Sequence, residues 1–187
     1  MPGIFGFMLR RPRSDADRIA ARLARDMCLY DWQSARVIDT NDPAVRLGVA
    51  WNELGPMARG ASHHVAGDVI CVLEGYIVRT REDCGAQAAL ARGNHAEAAV
   101  EAYRRFGSDF ASRLEGPFSL ILHDLGRQTL LGVTERHALT PLYRHDGPDC
   151  ACFASQIGLL GRGDLFGTRI DPASAATQLG HHHLFYR

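Results

Sequence analysis

The chain has 187 residues, with 21 basic side chains against 21 acidic ones and a formal net charge of zero. That balance gives no bulk attraction to nucleic acid or anionic lipid, and no apolar run approaches the roughly 18 residues needed to span a membrane. All 21 basic residues are Arg, which excludes a phosphate-loop lysine, a Schiff-base lysine and a Ser–Lys dyad.

The length suits one domain of about 100–200 residues. The first stretch, Gly3–Leu9, is mostly apolar and predicts a strand buried on both faces, with Gly6 marking a close backbone approach. Ser14 and Asp15 form an N-cap signal for a helix running to about Leu29, with Ile19, Leu23 and Met27 repeating every four residues. Arg36–Asp39 and Val45–Trp51 are short strand candidates, and Asn52–Ser62, with two Gly and a Pro, reads as a loop. Asp68–Val78 is a second apolar strand. A helix follows from Asn94 to Phe106 and stops at Gly107, and Ser108–Leu114 suits a further short helix.

Phe118–His123 and Thr129–Val133 flank Asp124–Arg127 as a hairpin, and Tyr143–Arg144 with Cys150–Ala154 form another. A short helix starts at Ser155, and Asp171 with Pro172 predicts a last one. Strands in antiparallel pairs with helices grouped in sequence favour an α+β fold over a parallel doubly wound sheet.

Five Cys without a CxxC pair signal neither a disulfide framework nor zinc, so a reducing, cytoplasmic setting is expected. Cys71, Cys150 and Cys152 read as core. The opening residues lack the basic and apolar regions of a secretory signal. His63-His64 and His181-His182-His183 are adjacent runs whose side chains diverge, so they read as solvated loop or tail residues and no metal is expected. Neither a nucleotide loop nor a GxSxG elbow is present in a usable context.

Five segments carry a resemblance. Met1-Pro2-Gly3-Ile4-Phe5-Gly6 resembles the Met-Cys-Gly-Ile-Phe-Gly start of the class II glutamine amidotransferases. Leu73-Glu74-Gly75-Tyr76-Ile77 stands where that family has Asn-Gly-Glu-Ile-Tyr. Phe110–Leu122, Leu130–Tyr143 and Phe153–Ile157 resemble three further family segments in the same order. Within that family the segments resemble the amino-terminal domains of asparagine synthetase, β-lactam synthetase and the lasso peptide cyclases. The resemblance implies the Ntn-hydrolase αββα sandwich of two antiparallel sheets for residues 1–170. It also implies a tail, 171–187, like the lead-in to an ATP-dependent synthetase domain whose Ser-Gly-Gly-x-Asp-Ser loop does not occur here. In the family an N-terminal Cys attacks the glutamine amide and its α-amine acts as base.

The chemistry-bearing positions depart from that pattern. Pro2 occupies the nucleophile position, and Glu74 replaces the oxyanion-stabilising Asn. His95, in Asn94-His95-Ala96-Glu97, stands where an Asp binds the α-amino group of glutamine, and Thr134-Glu135-Arg136 lacks the usual Arg-Asp order. Arg46 could clamp the glutamine carboxylate only after a register shift. No catalytic residue is therefore expected; Pro2, Arg46, Glu74, Gly75 and His95 form a vestigial pocket. The expected role is a scaffold or substrate contact in an ATP-dependent amide-forming system, such as lasso macrocyclisation or β-lactam closure. ATP and Mg belong to an adenylating partner domain or subunit, and a peptide is a candidate substrate. The alternatives are an enzyme using the Pro2 secondary amine as base or nucleophile, with Glu74 and His95, or a fragment of an active glutamine-dependent asparagine synthetase.

Overall fold

A computed structural model describes residues 2–53, 60–82, 85–161, 172 and 176. Along the chain come β1 (Gly3–Leu9), α1 (Ala16–Met27), β2 (Gln33–Ile38), β3 (Val45–Asn52), β4 (Ala61–Ala66), β5 (Val69–Gly75) and β6 (Arg79–Thr80). Then follow α2 (Gln87–Ala91), α3 (His95–Phe106), a 3-10 segment (Gly107–Arg113), β7 (Leu114–Glu115), β8 (Phe118–Asp124), β9 (Thr129–Thr134), β10 (Tyr143–Asp146), β11 (Cys150–Ala154) and α4 (Ile157–Leu160). One sheet has the order β10-β11-β1-β3-β2 and a second the order β4-β5-β8-β9, while β6 and β7 form a separate ladder. The pairings between neighbouring strands are antiparallel, as the α+β reading requires.

The period of two along each strand sorts side chains into three apolar clusters. Phe5, Phe7 and Leu9 meet Ile19, Leu23 and Met27 of α1, with Cys150 and Cys152 among them. From the other face of β1, Ile4 joins Leu47 and Val49 of β3 and Ile70, Val72 and Ile121 of the second sheet. Cys71, Leu73, Leu120 and Leu122 pack against Ala99, Ala102 and Tyr103 of α3. Gly6 faces the second sheet with no room for a side chain. A Cβ there would lie 2.6 Å from Leu47 Cδ2 and 2.9 Å from Ile121 Cγ2, so a side chain would wedge the sheets apart.

The caps explain where the helices start. Asn94 accepts from the Glu97 N–H at 3.1 Å while its amide reaches the Glu97 carboxylate at 3.1 Å, a reciprocal box that fixes the first turn of α3. Asp15 precedes α1 without a side-chain cap; its carboxylate is held by Arg13 at 2.8 Å instead. Three expectations shift. The first helix ends at Met27, two residues early. Residues 61 and 62, read as the end of a loop, begin β4, and a short helix, α2, was not foreseen. The helix expected from Asp171 and the tail 171–187 lie outside the described residues, apart from positions 172 and 176.

Candidate functional site

The first residues of β1 set one end of the site. Pro2 lies against Gly60, where a Cβ would come within 2.6 Å of the Pro2 ring, and Gly60 adopts φ +59°, which only glycine takes cheaply. Gly60 is tied down in turn by the Gly75 N–H, which donates to its carbonyl at 2.8 Å. Ile4 donates its N–H to Ser155 Oγ at 2.9 Å, and the Ser155 N–H returns a 2.9 Å bond to the Ile4 carbonyl. The N-terminal strand is therefore clamped to the end of β11.

Glu74 lies on the face of β5 that Ile70 and Val72 present to the first sheet. Burial pushes its carboxyl above the ordinary range, and a hydrogen bond with Ser155 only partly offsets that. Its Oε2 is buried without a hydrogen-bond partner among the described residues. So is the hydroxyl of Ser119, its direct cross-strand neighbour on β8. A carboxylate in this place would repel a negative charge developing beside it, whereas an amide would donate to that charge.

Beside this end opens a cavity of about 480 Å³. Arg36, Val49 and Trp51 line it from β2 and β3, and Ala61, Ser62 and His63 from β4. Arg36 pairs across the ladder with Val49, and His63 with Val72. Cross-strand partners share a face, so both polar residues stand on the faces the two sheets turn toward each other. Gly75 and the connection into α3, Arg92 to His95, complete the wall.

The cavity is rich in cations and donors. Arg92 is engaged by Glu97 at 2.7 Å, while Arg36 has no carboxylate partner among the described residues. His95 Nδ1 accepts the Ile77 N–H at 3.3 Å, which leaves Nε2 to carry the proton in the neutral ring. Burial holds His95 below the ordinary imidazole range, and burial followed by repulsion from Arg36 and His64 does the same for His63. Ser62 Oγ accepts from the Ala96 N–H at 3.1 Å, so its own hydrogen remains to be donated. No acidic side chain is among the described lining residues.

The structure therefore brings Pro2, Glu74 and Gly75 together at the ends of β1 and β5, and places His95 with Gly75 on the cavity wall. Arg46 is elsewhere. Its guanidinium bonds Asp17 at 2.6 Å and the Asp42 carbonyl at 2.8 Å, on the α1 side of β3. It precedes Leu47, which faces between the sheets, so a one-residue offset turns it to the opposite face. His63 and His64 lie on β4 rather than in a loop. Glu135 fastens a turn by accepting the His137 N–H at 2.6 Å and the Leu139 N–H. Arg36, Ser62 and His63 are the site residues the sequence reading missed; only the strand register reveals them.

Comparison with known proteins bears on the fold and the family. A glutamine amidotransferase domain family matches residues 56–162. Among solved structures, the glutamine phosphoribosylpyrophosphate amidotransferase from B. subtilis, complexed with ADP and GMP, superposes with a TM-score of 0.52 at 11% identity. The match covers 85% of this chain and 43% of that one, so the chain spans less than half the length of that enzyme. At this identity the likeness shows the fold. A search of curated proteins finds no match.

Proposed function

The chain belongs to the glutamine amidotransferase domain family, and from that premise we propose that it is a member that does not split glutamine. The observation that carries this reading is the pair of residues at the seam of β1 and β5. Pro2, which has no thiol, opens β1 at the position that the resemblance gives to the family nucleophile. Glu74, whose Oε2 has no hydrogen-bond partner among the described residues, takes the position that the resemblance gives to the oxyanion donor. The loss of one group could be bypassed; the loss of both removes the attack and the stabilisation of its product together.

In this reading the domain keeps the αββα layering of the Ntn amidotransferases as a scaffold. It serves an ATP-dependent amide-forming system of the asparagine synthetase type, in which an adenylating domain or subunit activates a carboxylate. An internal amine of the substrate then replaces ammonia, as in lasso peptide macrocyclisation or β-lactam closure. ATP and Mg would bind to that partner and not to this chain, and a cytoplasmic location follows from the same picture. The test is ammonia release from L-glutamine, followed by an enzyme-coupled assay. The reading predicts no release above the blank, with or without the partner, and sustained release overturns it.

A second reading draws on the unpartnered Oε2 of Glu74. If Met1 is removed, the secondary amine of Pro2 becomes available as a base or iminium-forming nucleophile near a carboxylate. The intact mass of the chain decides it, since retained Met1 leaves Pro2 as an amide nitrogen with no such chemistry.

A further inference from the structure

We propose that the cavity between the β2–β3 and β4 edges binds a small organic anion that carries no ammonium group, with Arg36 as its anchor. This rests on the reading that the site no longer handles glutamine, and it names what the site takes instead. An amino acid needs two opposite partners, a cation for its carboxylate and an acid for its ammonium. The described lining supplies the first and lacks the second.

Arg36 is the available cation. It lines the cavity and has no carboxylate partner among the described residues, whereas Arg92 on the far wall is held by Glu97 at 2.7 Å. A guanidinium meets a carboxylate or a phosphate with two parallel N–H donors, which suits either end group. Around it, the Ser62 hydroxyl can donate. The neutral His95 ring, with Nδ1 occupied by the Ile77 N–H, offers its Nε2–H. An ammonium brought into this space would meet the Arg36 guanidinium, with Glu97 already engaged by Arg92 and no acid among the described lining residues to receive it. The volume of about 480 Å³ is ample for a compact organic acid.

The test is calorimetric titration of the whole chain with three probes: glutarate, inorganic phosphate and L-glutamine. Glutarate is glutamine with its amide made a carboxylate and its α-ammonium removed. The proposal expects saturable binding of glutarate or phosphate, with L-glutamine weaker than the better anion by about tenfold or more. Glutarate as the tighter ligand assigns the site to carboxylic acids, and phosphate as the tighter assigns it to phosphate esters. Arg36→Gln should weaken the bound anion about ten- to hundredfold, the scale of a charge-assisted hydrogen bond. Arg36→Lys, which keeps the charge but not the fork, should fall between the two and carries the test if the Gln variant misfolds. Absence of binding by both anions, glutamine binding as tightly as they do, or two Arg36 variants indistinguishable from the native chain would overturn the proposal. Ammonia release from glutamine would sink the underlying reading separately, because that assay does not depend on the anion titration.

Discussion

Replacing Gly75 with Ala probes the backbone junction that places both Glu74 and the cavity wall. Gly75 adopts φ +91°, where an L side chain costs about 1–2 kcal/mol. Its added Cβ would stand 2.2 Å from the Pro117 carbonyl oxygen and 3.0 Å from Phe118 Cα. Ordinary contact begins near 3.4 Å, so the backbone at Pro117 must retreat by 3.4 − 2.2 = 1.2 Å. That same carbonyl accepts the Tyr76 N–H at 3.0 Å, and a retreat of this size breaks a bond with a net value of about 1 kcal/mol. Overpacking adds about 1–3 kcal/mol, for a total of roughly 3–6 kcal/mol against the 5–15 typical of a whole domain. Urea unfolding followed by circular dichroism measures it. Gly93→Ala is the matched control, with φ +72° and no atom within 4 Å of the added Cβ, so it should cost only the backbone share of about 1–2 kcal/mol. Equal costs for the two variants would rule out a steric penalty at Gly75, since the close contact with Pro117 alone separates them.

Three further outcomes follow. Because burial raises the Glu74 pKa, its contribution is fully present below its ordinary value of 4.5 and is lost as pH rises through the raised one. Glu74→Gln should therefore be more stable than the native chain at neutral pH, by about 1 kcal/mol, and the advantage should vanish in acid; thermal melts across pH read it. Tyr103→Phe removes the hydroxyl that donates to Asp124 Oδ2 at 2.7 Å in a buried position, which should cost about 1–3 kcal/mol at neutral pH in the same unfolding assay. Burial opposes ionisation of Asp124, but Tyr103 and Arg127 overcome it and hold its carboxyl below the ordinary range, so this cost fades as pH falls through that lowered value. Finally, Pro2→Cys alone should release no measurable ammonia from glutamine, while Pro2→Cys combined with Glu74→Asn is the smallest change expected to give any, because attack without oxyanion stabilisation loses about 10²–10³ in rate.

Elements with strong local patterns were legible from the residues alone. The apolar run of β1, the four-residue repeat of α1, the Asn94–Glu97 box of α3 and the β8–β9 hairpin all stand within a residue or two of where their patterns put them. β4 was not legible because Ala-Ser-His-His-Val-Ala has no clean alternation; it is a strand because β5 supplies its partner. The five residues of α2 are too few to show a helical period. The sheet order β11-β1-β3 joins residues some 150 positions apart, as in the Ile4–Ser155 bond, and no local signal encodes such a pairing. The site followed the same rule. Pro2, Glu74, Gly75 and His95 were proposed from motifs carried by contiguous segments. Arg36 and His63 enter through register across a ladder, and Arg46 was misplaced because neighbouring strand residues point to opposite faces.

A chain that does not split glutamine should present no nucleophile for a glutamine amide at the start of β1. The most direct measurement is exposure of the chain to a diazoketone analogue of glutamine, followed by intact-mass and peptide mass spectrometry. The expected result is an unchanged mass and an unmodified amino-terminal peptide. A stoichiometric adduct on residue 2, competed away by glutamine, would contradict it.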